Sequence, residues 1–66
     1  MYMTYVRSRA ITAIGYDPQT KRLRIKFKQG SIYNFCNVPE HVFNGLMNAA
    51  SKGTFYNDHI RDLYPC

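Results

Sequence analysis

The sequence predicts an α+β domain: a three-stranded antiparallel β-meander followed by two C-terminal helices packed on it. Three observations carry this. Residues 8–16, 22–28 and 31–38 are short runs rich in β-branched and aromatic residues, separated by turn signals. Residues 39–50 place Val42, Phe43, Leu46, Met47 and Ala50 on one helical stripe. A second stripe, Phe55, Tyr56, His59, Ile60, Leu63 and Tyr64, follows and is closed by Pro65.

The first run, Ser8 to Tyr16, has isoleucines three apart at Ile11 and Ile14, which breaks strict alternation; a bulge near Ala13 or Gly15 would reconcile them. Residues 1–7 hold Tyr2, Tyr5 and Val6 without a clear period, and extend the first strand or cover an edge. Asp17-Pro18-Gln19-Thr20 is a turn, with Asp accepting from the backbone and Pro fixing φ.

The next two runs, RLRIKF and IYNFCNV, flank Gln29-Gly30. Leu23, Ile25 and Phe27 alternate with Arg22, Arg24, Lys26 and Lys28, the period of a strand with one buried face. A two-residue primed turn at Gln29-Gly30 sets Phe27 against Ile32, Lys26 against Tyr33 and Arg24 against Phe35. The expected core face is then Leu23, Ile25, Phe27, Ile32 and Cys36. The expected outer face interleaves Arg24, Lys26 and Lys28 with Tyr33 and Phe35. A slip of one residue would send both aromatics inward.

Pro39 and Glu40 open the first helix, one suited to the first turn and the other to the positive end of the dipole. Gly45 weakens that helix by roughly 1 kcal/mol relative to Ala, unless a neighbour needs the space. Ser51-Lys52-Gly53 separates the helices. Phe43, Leu46, Met47 and Ile60 are expected in the core.

Sixty-six residues make one domain with a thin core, since a chain of this size buries only about 60% of its unfolded surface; a homo-oligomer or a close partner would add to it. Nine Lys+Arg against four Asp+Glu give a net charge of +5 and a pI near 9.5, which favours anionic partners. No apolar run has the length of a membrane span and residues 1–10 carry no secretory apolar region, so a cytoplasmic protein is expected, without a membrane partner. Two cysteines make neither a disulfide framework nor a CxxC knuckle: Cys36 reads as a small buried hydrophobe and Cys66 as exposed. His41, His59 and the cysteines have no ligand spacing, so neither a metal nor another cofactor is expected.

No nucleophile–base pair or carboxylate pair stands out among four acidic residues, which speaks against an enzyme. The basic–aromatic face is the best functional signal, because aromatic rings beside cations stack bases and hold phosphates. The plainer reading is solvated Arg24 and Lys26, with Tyr33 and Phe35 packed under the last helix. Ser51-Lys52-Gly53 is a second candidate, a helix start that offers N–H groups and a mobile cation. Against it stands an ordinary interhelical turn with Gly53 at positive φ. Asn57 and Arg61 would sit beside that turn, with Arg61 also placed to pair with Asp58.

IGYD at residues 14–17, the Gly30 turn, Tyr33-x-Phe35, Val38-Pro39, and Ser51-Lys52-Gly53 followed by Phe55, Asn57 and Ile60 together resemble the KTSC domain. The resemblance spans about residues 6–64. It implies a small module found at the C-terminus of some lysyl-tRNA synthetases and free-standing in bacteria and phages, for which RNA binding is the usual suggestion. The second aromatic is often Tyr in that family and is Phe35 here, which keeps a stacking ring but removes a hydroxyl. The expected function is therefore non-catalytic binding of a phosphate-bearing ligand, RNA or nucleotide, by Arg24, Lys26, Tyr33, Phe35, Ser51, Lys52, Asn57 and Arg61. Two other classes remain open. One is a phage-type protein that sequesters a cyclic or other small nucleotide signal between protomers, in the host cytoplasm; the other is an interaction protein that docks an acidic surface of host machinery such as RNA polymerase.

Overall fold

The computed structural model describes residues 1–66. Four strands, not three, form one antiparallel sheet in sequence order: β1 (Met3–Tyr5), β2 (Ile11–Asp17), β3 (Arg22–Phe27) and β4 (Ile32–Phe35). Two helices follow, α1 (Glu40–Asn48) and α2 (Lys52–His59), packed against one sheet face. The extra strand is the three-residue β1, which pairs with β2 at Met3–Gly15 and Tyr5–Ala13. Its connection to β2 is held by Ser8, whose Oγ accepts from the Ala10 and Ile11 N–H groups at 3.2 Å each.

The irregularity of β2 lies between Ile11 and Ala13, so one bulge lets both isoleucines face the core. Asp17 Oδ1 accepts from the Gln19 N–H at 3.0 Å in the turn to β3. That bond holds the Asp17 carboxyl below its ordinary value of 3.8.

The β3–β4 register differs from the expected one by one residue. Leu23 pairs with Phe35, Ile25 with Tyr33 and Lys26 with Ile32. The connection is Lys28-Gln29-Gly30: the Phe27 N–H donates to Ser31 O and the Gly30 N–H to Phe27 O, both at 2.9 Å. Gly30 closes it at φ +103, so the glycine ends a three-residue loop rather than a two-residue one. Every side chain of β4 consequently changes face. Phe35 enters the core, Tyr33 moves to the helix side against Phe27, and Ile32 becomes 53% exposed on the open side.

The core is Ile11, Ile14, Leu23, Ile25 and Phe35 from the sheet, closed by Val38, Val42, Leu46 and Ile60. Phe43 and Met47 pack against it half-buried, while Ala50 and Leu63 are exposed. Tyr16 fixes α1: its ring stacks on Phe43 at 4.8 Å and its hydroxyl donates to Val38 O at 2.6 Å. Gly45 has the packing reason that its place in a helix demands. A Cβ there would sit 2.6 Å from the ring of Phe55, so the two helices cross in ring-on-backbone contact. Helix α2 is shorter than the periodicity suggests and ends at His59, capped by Ile60, with turns through residues 60–63.

Cys36 and Cys66 form a disulfide with Cα atoms 4.8 Å apart, which corrects the reading of both as unpaired. The bond lays the segment after α2 alongside the end of β4, where the Cys36 N–H donates to Tyr64 O at 3.1 Å.

Candidate ligand-binding site

The register shift and the disulfide together build a cleft of about 620 Å³ between β4 and the end of α2. Phe27, Tyr33 and Phe35 form its sheet side, and Tyr56, Tyr64 and Pro65 the helix side. The rings meet edge to face: Phe27 lies 5.5 Å from Tyr33 and 5.0 Å from Tyr56, and Phe35 lies 5.9 Å from Tyr56. Gln29, Asn57 and Arg61 supply polar groups at the same cleft, while Asn34 borders it from edge strand β4 with its amide turned to Arg24 on the other face. Tyr33 remains 47% exposed, so one of its faces is open to a ligand.

Burial raises the Tyr56 hydroxyl above its ordinary value of 10.0; Arg61 opposes the rise, while Asp62 and Tyr33 add to it. Burial also raises Tyr16, helped by Glu40 and Asp17. Both phenols therefore keep their protons at neutral pH, and Tyr16 donates its proton to Val38 O. A phenol whose pKa is raised on folding gives stability that is fully present below its unfolded value and lost as pH climbs through the folded one. The melting temperature should hold level from neutral pH to about 10 and fall above it, and Tyr56→Phe should remove part of that fall in a melting series.

The sequence-predicted residues divide among three places. Tyr33, Phe35, Asn57 and Arg61 meet in the cleft, although Phe35 is nearly buried and acts as its floor. Arg24 and Lys26 lie on the opposite, open face of the sheet, so the expected interleaving with Tyr33 and Phe35 does not occur. Ser51 and Lys52 line a separate groove of about 360 Å³ with Ser8, Arg9 and Gly53.

In that groove Ser51 caps α2, its Oγ accepting from the Thr54 N–H at 3.3 Å, and Gly53 lies inside the first helical turn near Ala10. Gly53 therefore has no positive φ to supply. Lys52 Nζ donates to Ala49 O at 3.2 Å, so that ammonium is used to close α1. Arg61 faces Asp62 at 3.8 Å rather than Asp58. His59 is exposed with its ring 4.5 Å from Phe55.

Phe27, Tyr56 and Tyr64 are cleft residues that the sequence reading left out of the site. Phe27 was placed in the core on the correct face, while Tyr56 and Tyr64 were visible only as part of an apolar stripe. No three His, Cys, Asp or Glu side chains gather into a metal-holding group, and no helix is long and apolar enough to cross a membrane.

A short four-stranded meander with two helices on one face and a cleft at its edge strand defines a small α+β domain. Residues 7–64 match the model of the KTSC domain, and the chain belongs to that family. A protein of Tsukamurella paurometabola is 41% identical over 94% of this chain and 92% of its own length. A lysine–tRNA ligase of a Nostoc species is also 41% identical, over 82% of this chain but only 10% of the ligase. The crystal structure of a KTSC domain protein from Yersinia pestis superposes with a TM-score of 0.92 at 35% identity, covering 96% of this chain and 89% of that one.

Proposed function

We propose that the chain is a non-catalytic module that binds a phosphate-bearing ligand, RNA or a nucleotide, and that the aromatic cleft takes the base. The observation that carries this reading is the convergence of open aromatic edges with amides and a guanidinium. Tyr33, Tyr56 and Tyr64 offer ring surface, Asn57 and Gln29 offer donors and acceptors for a base edge, and Arg61 offers charge for a phosphate. The net charge of +5 fits an anionic ligand, and the chain is similar to a segment of about a tenth of a protein named as a lysine–tRNA ligase. No nucleophile with an adjacent base lies in the cleft, which supports binding without chemistry.

The test is a thermal-shift screen against mononucleotides and short single-stranded RNAs. A ligand that occupies the cleft should raise the melting temperature with one ligand per site. Tyr33→Ala should weaken it by about 1–3 kcal/mol, the worth of one stacked base, without unfolding the domain, because Tyr33 is half-exposed. Absence of any shift from nucleotides and RNA alike would remove the reading.

A further inference from the structure

The sheet face turned away from the helices carries two rows that run across all four strands. One is Tyr5–Ala13–Lys26–Ile32 and the other Met3–Gly15–Arg24–Asn34. The middle of the face is small and filled. A Cβ on Gly15 would lie 2.6 Å from Met3 Sδ and 2.9 Å from the Tyr2 carbonyl, so residues 1–3 lie close over β2 there. Ala13 is 2% exposed. The face is a platform rather than a groove.

Along β3, Arg22, Arg24 and Lys26 point to this platform, and Lys28 follows in the turn to β4. Alternate residues of a strand repeat every ~7 Å, so the three strand cations form a line of about 13 Å. They are three of the nine basic residues, and none is in an ion pair; the one ion pair of the molecule is Arg61–Asp62. Asp17 is the single acid in register with the row, opposite Arg22, and its carboxylate already accepts from Gln19. Glu40, Asp58 and Asp62 belong to the helices or the segment after them. Arg24 donates its Nε to Asn34 Oδ1 at 2.8 Å, which orients the guanidinium and leaves its terminal nitrogens for another acceptor. Tyr5, 78% exposed, stands beside this line two strands away, and Ile32 one strand to the other side.

We infer that this platform binds the backbone of a single-stranded nucleic acid running along β3, with bases resting on Tyr5. The reading rests on the proposal that the chain takes phosphate-bearing ligands, and narrows it to a polymer. A regular line of unpaired cations is longer than the phosphates of one nucleotide can occupy, and it matches an anion that repeats along an extended strand. The exposed ring beside the line is what separates a nucleic acid from an acidic protein surface, because only bases gain from stacking.

The experiment is fluorescence anisotropy with labelled single-stranded 12-mer RNA and DNA over a salt series, with AMP binding to the cleft followed in parallel by thermal shift. The expected log–log salt slope is about −2, from three released counterions on a single strand. Arg24→Glu with Lys26→Glu should abolish oligonucleotide binding at moderate salt, leave the melting temperature in place and leave AMP binding unchanged. Tyr5→Ala should weaken the oligonucleotide about 5- to 150-fold, the stacking range, with the slope preserved. Unchanged oligonucleotide affinity in the folded charge-reversal variant overturns the inference, as does AMP binding by a protein that ignores the 12-mers. Oligonucleotide binding lost on charge reversal but indifferent to Tyr5→Ala, and displaced equally well by a polyglutamate peptide, also overturns it and makes the row a dock for acidic protein. Loss of AMP binding by Tyr33→Ala alone tests the cleft separately, so either reading can fail without the other.

Discussion

Leu46→Ala should unfold this domain or bring it to the edge of unfolding. Leu46 is fully buried, and α1 contributes only one other buried side chain, Val42. Helix α2 contributes none within its own span; Ile60, just past its end, is the remaining plug from that side. Removing three carbons at such a site costs about 2–5 kcal/mol, the lost transfer energy plus that of the cavity left behind. Natural domains are stable by roughly 0.05–0.15 kcal/mol per residue, or about 3–10 kcal/mol for a chain of this length. Collapse around the gap is restricted, because Tyr16 stacks on Phe43 and Phe55 touches Gly45, fixing α1 against both the sheet and α2. Urea denaturation followed by circular dichroism measures the loss. A value well under 1 kcal/mol would mean that α1 does not seal the core in solution.

The elements whose residues carry their own instructions were legible. Pro39-Glu40 and the Val42–Leu46 stripe give α1, Asp17-Pro18 gives the β2–β3 turn, and the spacing of Ile11 and Ile14 gives the bulge. What failed was the register of β4, and one residue of loop length decides it. Gly30 can end a two-residue or a three-residue loop, since both need a positive φ at that glycine. The run Ile32-Tyr33-Asn34-Phe35 does not arbitrate by alternation, being apolar at both of its first two positions. Burial does arbitrate. The expected register leaves two aromatic rings in water to hide one isoleucine, and each ring buries about 150–250 Å² when packed. The observed register hides Phe35, half-hides Tyr33 and exposes Ile32.

That slip is also why the site was half-read. The cations were correctly placed off the core face, but the aromatics expected beside them sit across the sheet, and the exposed ring on the cationic face is Tyr5 of the unforeseen β1. Strand β1 has three residues, and its link to β2 turns on Ser8 without Gly or Pro, so no local signal announces it. Tyr56 and Tyr64 become cleft residues only because the segment after α2 returns to β4, a contact between parts of the chain that no spacing rule connects.

Opening the Cys36–Cys66 bond should destabilise the domain by about 3–4 kcal/mol. The estimate comes from the loop the bond closes, a sequence separation of 30, through the lost constraint on the unfolded chain. The effect should be unevenly spread. Beyond Ile60 the returning segment is held by the disulfide, by the Cys36 N–H to Tyr64 O hydrogen bond and by the packing of Tyr64, while Arg61, Asp62 and Leu63 are exposed. Tyr64 and Pro65 form part of the cleft wall, so this wall should loosen before the sheet does. Cys36→Ala with Cys66→Ala, and the wild-type protein treated with a dithiol, should therefore behave alike. Both should show a lower urea midpoint and fast amide exchange over residues 61–66, with weaker binding of any cleft ligand. The β3 cation row lies on the other face and should keep its oligonucleotide affinity wherever the domain remains folded. Equal stability of oxidised and reduced protein, within 1 kcal/mol, would show that packing of Tyr64 alone holds the wall and that the bond constrains nothing further.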